Sequence, residues 1–164
     1  MVRDGVISQY AIGGAIGALF YVEPFETHDL DVFVDLPFQG HVVTLGPIDA
    51  YLRAAGYDLE QDLYSIEGVP VQFLPITPGL VEEAVAEAVS IPFDDELARV
   101  MRPEHLVAIM LQVGRPAKDI PRAALFAEQL VLDREVLKAI LDRYGLSEKW
   151  KKIAGGGEDG AGHS

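Results

Sequence analysis

The chain of 164 residues contains no cysteine, so disulfides and thiolate metal sites are excluded. Positive charge is scarce as well. Lys and Arg total 13 against 26 Asp and Glu, for a formal net charge of -13 and a pI near 4.5. Such a chain repels phosphate backbones on average, which argues against broad nucleic-acid binding and leaves room only for a local basic patch. A long hydrophobic run is also missing. Residues 10–22 are apolar, but Gly13, Gly14 and Gly17 interrupt them, and Asp4 follows the one upstream cation, Arg3. This stretch predicts neither a signal peptide nor a membrane span, so the expected compartment is the cytoplasm, with no membrane partner. No internal repeat is present. What the chain does have is apolar mass: 49% of it is hydrophobic, enough for one compact unit or one core with a small appendage.

Tyr10-Ala11-Ile12 reads as a short buried strand running into Gly13-Gly14, residues 15–20 as a helix, and residues 30–36 as a second strand. In an extended strand, residues two apart share a face. Asp29, Asp31 and Asp35 therefore take one side, and Leu30, Val32, Val34 and Leu36 the other. Ile48, Tyr51, Leu52 and Ala55 stand at helical spacing over 47–55, with Gly56 as the stop. Residues 63–67 and 69–76 read as a hairpin about Gly68, with Pro70 marking an edge or a bulge. Thr77-Pro78 reads as the N-cap and first position of a helix over 80–89, with Glu82, Glu83 and Glu87 on its solvent face. Residues 97–101 predict a short strand. From Pro103 the pattern is helical. Leu106, Ile109, Met110 and Val113 form one stripe, a second helix covers 117–130, and Asp133 caps a third. That third helix carries Leu137, Ile140, Leu141 and Tyr144 and is closed by Gly145. The expected organisation is an α+β core over 1–101, a helical subdomain over 102–152 and a Gly-rich disordered tail over 153–164.

Two carboxylates on one strand, Asp29 and Asp31, close to backbone amides freed by Gly13-Gly14, suit a divalent metal and a nucleoside triphosphate. The plainer alternatives are ordinary strand-edge carboxylates and a tight glycine turn. Thr27 is placed to hydrogen-bond the strand start, and His28 reads as a surface residue. His28-Asp29 has the form of an HD phosphohydrolase pair but lacks the helix histidines that chemistry needs; His41 and His105 lie in the wrong context. Arg115, Lys118, Asp119 and Arg122 form the polar cluster that would attract an anionic substrate. It is either a solvated face with an Arg115–Asp119 pair of little energetic weight, or a site where Lys118 meets a phosphate and Asp119 orients it.

A glycine pair at a strand–helix turn followed by an Asp-x-Asp strand resembles the nucleotidyltransferase superfamily, which includes DNA polymerase beta and the minimal nucleotidyltransferases. Arg102-Pro103-Glu104-His105-Leu106 and Gly114-Arg115-Pro116-Ala117-Lys118-Asp119 resemble the helical half of its AbiEii-type subgroup. The resemblance spans about residues 8–150. It implies a mixed sheet with flanking helices, then a small helical subdomain. It further implies that Gly13, Gly14, Thr27, Arg115, Lys118 and Asp119 bind the nucleotide, and that Asp29 and Asp31 are catalytic and hold Mg²⁺, with Mn²⁺ as the alternative ion. The implied reaction moves a nucleoside monophosphate from an NTP to RNA, protein or a small molecule. AbiEii-type relatives act as toxins of toxin–antitoxin systems and some modify tRNA, so a toxin role is permitted here; the acidic balance lowers the expectation of an RNA acceptor. Two features depart from the family. The strand expected to supply a third carboxylate, Val69-Pro70-Val71-Gln72-Phe73-Leu74, offers Gln72, an amide that binds Mg²⁺ weakly and is no base. The stretch from Gly14 to Asp29 is long, and Glu23, Glu26, Asp35 and Glu67 are the acids that could stand in. Active members also often carry serine at the second glycine. Two readings from other classes follow: a nucleotide-binding module of this fold without catalysis, and a partner-binding protein whose apolar helical half forms a homo-oligomer or a complex.

Overall fold

The computed structural model describes residues 1–22, 27–36, 44–129 and 132–155, with the backbone alone of 38–39 and 42–43. Glu23, Glu26, His41 and the tail from residue 156 lie outside the described residues. The chain divides into two compact units, Met1–Arg102 and Pro103–Ser164.

The first unit runs β1 (Tyr10–Ile12), α1 (Gly14–Leu19), β2 (Leu30–Val34), β3 (Phe38–Gln39), β4 (Val42–Val43), α2 (Gly46–Ala54), β5 (Leu59–Glu60), β6 (Leu63–Ile66), β7 (Val69–Pro75), α3 (Leu80–Ala86), β8 (Val89–Phe93) and β9 (Glu96–Val100). Seven of these strands form one mixed sheet in the order β5-β6-β7-β2-β1-β9-β8, and β3 pairs with β4. β1 and β2 are antiparallel, with Ile12 opposite Val32, whereas β2 and β7 are parallel and β1 meets β9 in parallel at Ile12 and Val100. The two-residue period of β2 turns Val32 and Val34 into a core with Ile48 and Leu52 of α2 and Val71 and Phe73 of β7. Tyr64 is fully enclosed there, and its hydroxyl donates to Asp49 Oδ1 at 2.9 Å. Burial, then that bond, pushes the phenol up to about 12.

The expected helix start at Thr77-Pro78 is corrected. α3 begins at Leu80, with Gly79 at its N-cap in a positive-φ conformation (φ 95). α3 also stops at Ala86 rather than Val89, and Val89–Phe93 becomes an edge strand in a hairpin with β9. The end of α3 is held from a distance: Arg99 Nη2 donates to the carbonyls of Val85 and Ala86 at 2.9 and 3.2 Å. A helix whose last carbonyls are satisfied by a residue thirteen positions away leaves no local stop signal.

The second unit holds α4 (Pro103–Val113), α5 (Asp119–Glu128), α6 (Arg134–Arg143) and α7 (Ser147–Ala154). α4 is enclosed on most sides, with Glu104, His105 and Leu111 buried beside Leu106 and Met110, while Val113 of the predicted stripe is exposed. Asp133 caps α6 by accepting from the N–H groups of Glu135 and Val136, both at 3.1 Å, and its own N–H donates to Glu104 Oε1 at 2.8 Å. Leu137, Ile140 and Leu141 are buried, and Gly145 turns the chain at φ 67. α7 then runs to Ala154. Lys149 Nζ donates to the carbonyl of Leu111 at 3.0 Å and ties α7 to the end of α4. Among the described residues, no helix is long and apolar enough to cross a membrane.

Candidate functional site

The loop from β1 into α1 fits against β2 so closely that only glycine is admitted. The Gly13 N–H donates to the Asp31 carbonyl at 3.0 Å. A Cβ on Gly13 would come within 2.7 Å of the Phe33 ring and 3.0 Å of Met101 Sδ. Gly14 has φ 57, and a Cβ there would overlap the Asp31 carboxylate, reaching 2.8 Å from its Cγ. The first turn of α1 thus stands directly beside the Asp31 side chain. Its N–H groups have no helical acceptor, and it carries no acidic residue of its own. Phe33, Met101 and Tyr21, whose hydroxyl donates to the Met101 carbonyl at 3.0 Å, form the backing of this turn. Sequence reading missed these three, since each resembles any other core residue.

The strand register puts Asp31 beside Gln72 on parallel β7, while Val32 and Phe73 pair toward the core. Asp29 and Thr27 are half-buried in the approach to β2, which begins at Leu30, and His28 is exposed. Two acids that could have completed the set are engaged elsewhere. Asp35 follows the end of β2 and accepts from the N–H groups of Ser8 and Gln9 at 3.0 and 3.2 Å, and from the Ser8 hydroxyl. Burial pushes its carboxyl up, but those bonds outweigh it and hold the group below the usual range. Four residues of strand separate it from Asp31 by about 13 Å. Glu67 lies in the β6–β7 turn, accepts from the Tyr57 hydroxyl, and stands five residues, or about 16 Å, before Gln72. Among the described residues, no group of three or more His, Asp or Glu could hold a metal ion. Asp31 and Gln72 stand side by side in register, with Asp29 two residues before Asp31; such a set would hold Mg²⁺ only with waters and substrate phosphates completing the shell.

In the second unit, Arg115 and Asp119 form a clamp. Arg115 Nε and Nη2 each donate to the Asp119 carboxylate at 2.8 Å, and the Arg115 N–H adds a third bond at 3.0 Å. The spacing of four arises from a turn, not a helix, because Arg115 precedes α5. Asp119 is only 3% exposed. Its burial pushes the carboxyl up, and the Arg115 bonds more than reverse this, leaving it below the ordinary value. The solvated-pair expectation is therefore corrected, because the acid is buried and triply bonded. The expectation that Asp119 orients Lys118 is corrected too, since its carboxylate turns to Arg115. Lys118 is exposed at the N-cap position of α5.

No family model matches the chain, and no curated protein matches it. Solved structures do. The antibiotic-resistance factor ANT(2'')-Ia in solution is 16% identical over 95% of this chain and 90% of its own, with a TM-score of 0.52. Its crystal structure in complex with adenylyl-2''-tobramycin is 16% identical over 91% and 92%, with a TM-score of 0.53. An antigenic nucleotidyltransferase-like protein from Paracoccidioides brasiliensis is 14% identical over 92% and 87%, with a TM-score of 0.58. What is shared at these identities is the fold, a nucleotidyltransferase-like α+β arrangement of a mixed sheet with flanking helices followed by a small helical unit.

Proposed function

We propose, from this nucleotidyltransferase-like fold, that the chain binds an NTP with Mg²⁺ at Asp29 and Asp31 and transfers its nucleoside monophosphate to a small, cationic, hydroxyl-bearing acceptor. The observation that carries the reading is the Asp31 carboxylate packed against Gly14 at the first turn of α1. The Gly13 N–H is taken by the Asp31 carbonyl, so Gly13 serves by letting the turn close on β2, while the N–H groups of Gly14 and the first turn of α1 face the β- and γ-phosphates and Thr27 adds a hydroxyl. Within the second unit, Lys118 is an exposed cation on a loop stiffened by the Arg115–Asp119 clamp, the feature there suited to meet an anion. Mg²⁺, or Mn²⁺ in its place, would neutralise triphosphate charge and polarise the α-phosphoryl group. The acceptor hydroxyl oxygen bonds the α-phosphorus as its proton passes to solvent water, the bond to the β-phosphate oxygen breaks, and pyrophosphate leaves. Asp29 and Asp31 orient the reacting groups.

The acceptor class has two supports. ANT(2'')-Ia is found with adenylyl-2''-tobramycin, and a chain of charge -13 attracts a polyamine and repels RNA. A cytoplasmic toxin of AbiEii type rests on the 102–106 and 114–119 patterns alone. A second reading, nucleotide binding without turnover, is favoured by Gln72 in the place beside Asp31 where a base would stand.

The test is a thermal shift with each of the four NTPs and Mg²⁺, followed by transfer of α-labelled NTP to tobramycin. Under the first reading the NTP raises Tm, Asp31→Asn abolishes the rise, and label moves to the acceptor. A Tm rise without label transfer to tobramycin, RNA or protein selects the second reading, and Gln72→Glu is then expected to switch transfer on. No NTP effect with either Mg²⁺ or Mn²⁺ would sink both.

A further inference from the structure

The position beside Asp31 decides how many divalent ions can be held at the glycine turn. Gln72 pairs with Asp31 across parallel β2 and β7, so the two side chains leave the sheet on one face, and both are half-buried. The other places around Asp31 on that face carry no charge. They are taken by Phe33 two residues on, by Ala11 opposite Phe33 on β1, and by Pro70 and Leu74 on either side of Gln72. Asp29, two places before Asp31, adds a second carboxylate. Asp35 and Glu67 are held elsewhere, by Ser8 and Gln9 and by Tyr57. A pair of divalent ions at the spacing of two-metal sites, about 3.5–4 Å, carries four positive charges and needs carboxylates that reach both ions. Asp29 and Asp31 bring two negative charges, which match one ion, and the Gln72 amide is neutral.

We infer that Gln72 limits the site to a single divalent ion, and that this ion enters with the triphosphate rather than ahead of it. Such a limit presupposes that an NTP binds at Asp31, as proposed above, and adds the number and the order of the ions. An ion shared by Asp29, Asp31 and the β- and γ-phosphates is fully provided for, because a small divalent cation takes one or two carboxylates and completes its shell with phosphate and water. A second ion would find only oxygens already shared and a weak amide donor. Without nucleotide the same two carboxylates form no cage: among the described residues, no group of three or more His, Asp or Glu could hold a metal ion. In that state the chain, at net charge -13, collects divalent ions no better at Asp31 than on the rest of its acidic surface.

Mn²⁺ is the probe, because its electron paramagnetic resonance spectrum separates an isolated ion from a coupled pair. The full-length protein is dialysed to equilibrium against Mn²⁺ in about 0.15 M NaCl, which screens the general charge of the chain. Dialysis is run without nucleotide and with the α,β-methylene analogue of each of the four NTPs, which binds but cannot transfer. With an analogue that binds, the parent chain is expected to hold one Mn²⁺ per nucleotide beyond the Asp31→Asn level, with the spectrum of an isolated ion. Without nucleotide, the parent and Asp31→Asn retain Mn²⁺ equally. Gln72→Glu takes up two ions per nucleotide and shows the coupled spectrum, whereas Gln72→Ala stays at one. Far-UV circular dichroism establishes that each variant is folded, and if Gln72→Glu is not, the count and spectrum of the parent decide alone. Two ions per nucleotide in the parent overturn the proposal. So does Mn²⁺ retained above the Asp31→Asn level without nucleotide, or a folded Gln72→Glu that still holds one ion. A parent chain that binds no analogue is a separate result, which removes the nucleotide reading itself and this limit with it.

Discussion

Asp31 is fixed by what its neighbours forbid. Gly14 sits at φ 57 with its missing Cβ pointed into the Asp31 carboxylate. Gly14→Ala therefore incurs both backbone strain and a side-chain clash, and should cost about 1–3 kcal/mol of stability. The measurement is the urea midpoint, taken together with the NTP-dependent Tm rise. The variant should lose the rise even at temperatures where it is folded, and an unchanged midpoint would show that the loop is looser than its packing implies. Asp119 sets a second residue-scale expectation, in pH. Its carboxyl lies below the ordinary value because the Arg115 bonds outweigh burial. A depressed native value means the stabilisation is complete above the unfolded pKa, near 4, and is lost as pH falls through the lower native one. Asp119→Asn removes the charge-assisted bonds and should cost about 1–3 kcal/mol at pH 7. The difference from the parent chain should shrink below about pH 4, where the parent's own carboxyl takes up its proton. Acid titrations of both chains, followed by circular dichroism, test this; a gap that persists to pH 2 would contradict the assignment.

At the scale of elements, what could be read from the sequence depended on how local the cause was. β1, α1 and β2 were legible because a glycine pair and a two-residue alternation are written into consecutive residues. α6 was legible because Asp133 caps it three residues from the N–H it binds. The register that sets Gln72 beside Asp31 could be anticipated only from the family pattern, since parallel pairing of β2 and β7 joins strands about forty residues apart. β8 and α7 were not legible. β8 carries Pro92, a residue that argues against a strand interior, and the helix before it has its last carbonyls satisfied by Arg99 of β9 rather than by a local stop signal. α7 carries few apolar residues and is held through Lys149 on the Leu111 carbonyl, a bond thirty-eight positions long. Lys149→Met keeps the length of the side chain and deletes the donor. It should lower the protection of α7 amides by about 1 kcal/mol, read by hydrogen exchange, while α6 is unchanged. Equal protection in both chains would mean that the bond contributes nothing.

The charge of the whole molecule bears on every measurement of its proposed metal. At net charge -13 the folded chain repels itself, and the range of that repulsion shrinks from about 30 Å at 0.01 M salt to about 8 Å at 0.15 M. Raising NaCl across that interval should stabilise the protein by about 1 kcal/mol and lift Tm by roughly 2–4 °C. Mg²⁺ alone will do the same through its charge, at Asp31 or anywhere else on the acidic surface, so a Tm rise with Mg²⁺ is not evidence for a site. The discriminating quantity is the further increment on adding NTP at fixed ionic strength. NTP brings negative charge to a negative protein, so general electrostatics predicts a fall in stability, and only specific binding reverses the sign; Asp31→Asn then tells whether that binding is at Asp29, Asp31 and the first turn of α1. The expected result is a positive NTP increment in the parent chain, a zero or negative one in Asp31→Asn, and an identical NaCl response in both. A positive increment of equal size in the two chains would move the nucleotide away from Asp31 and leave the glycine turn as packing alone.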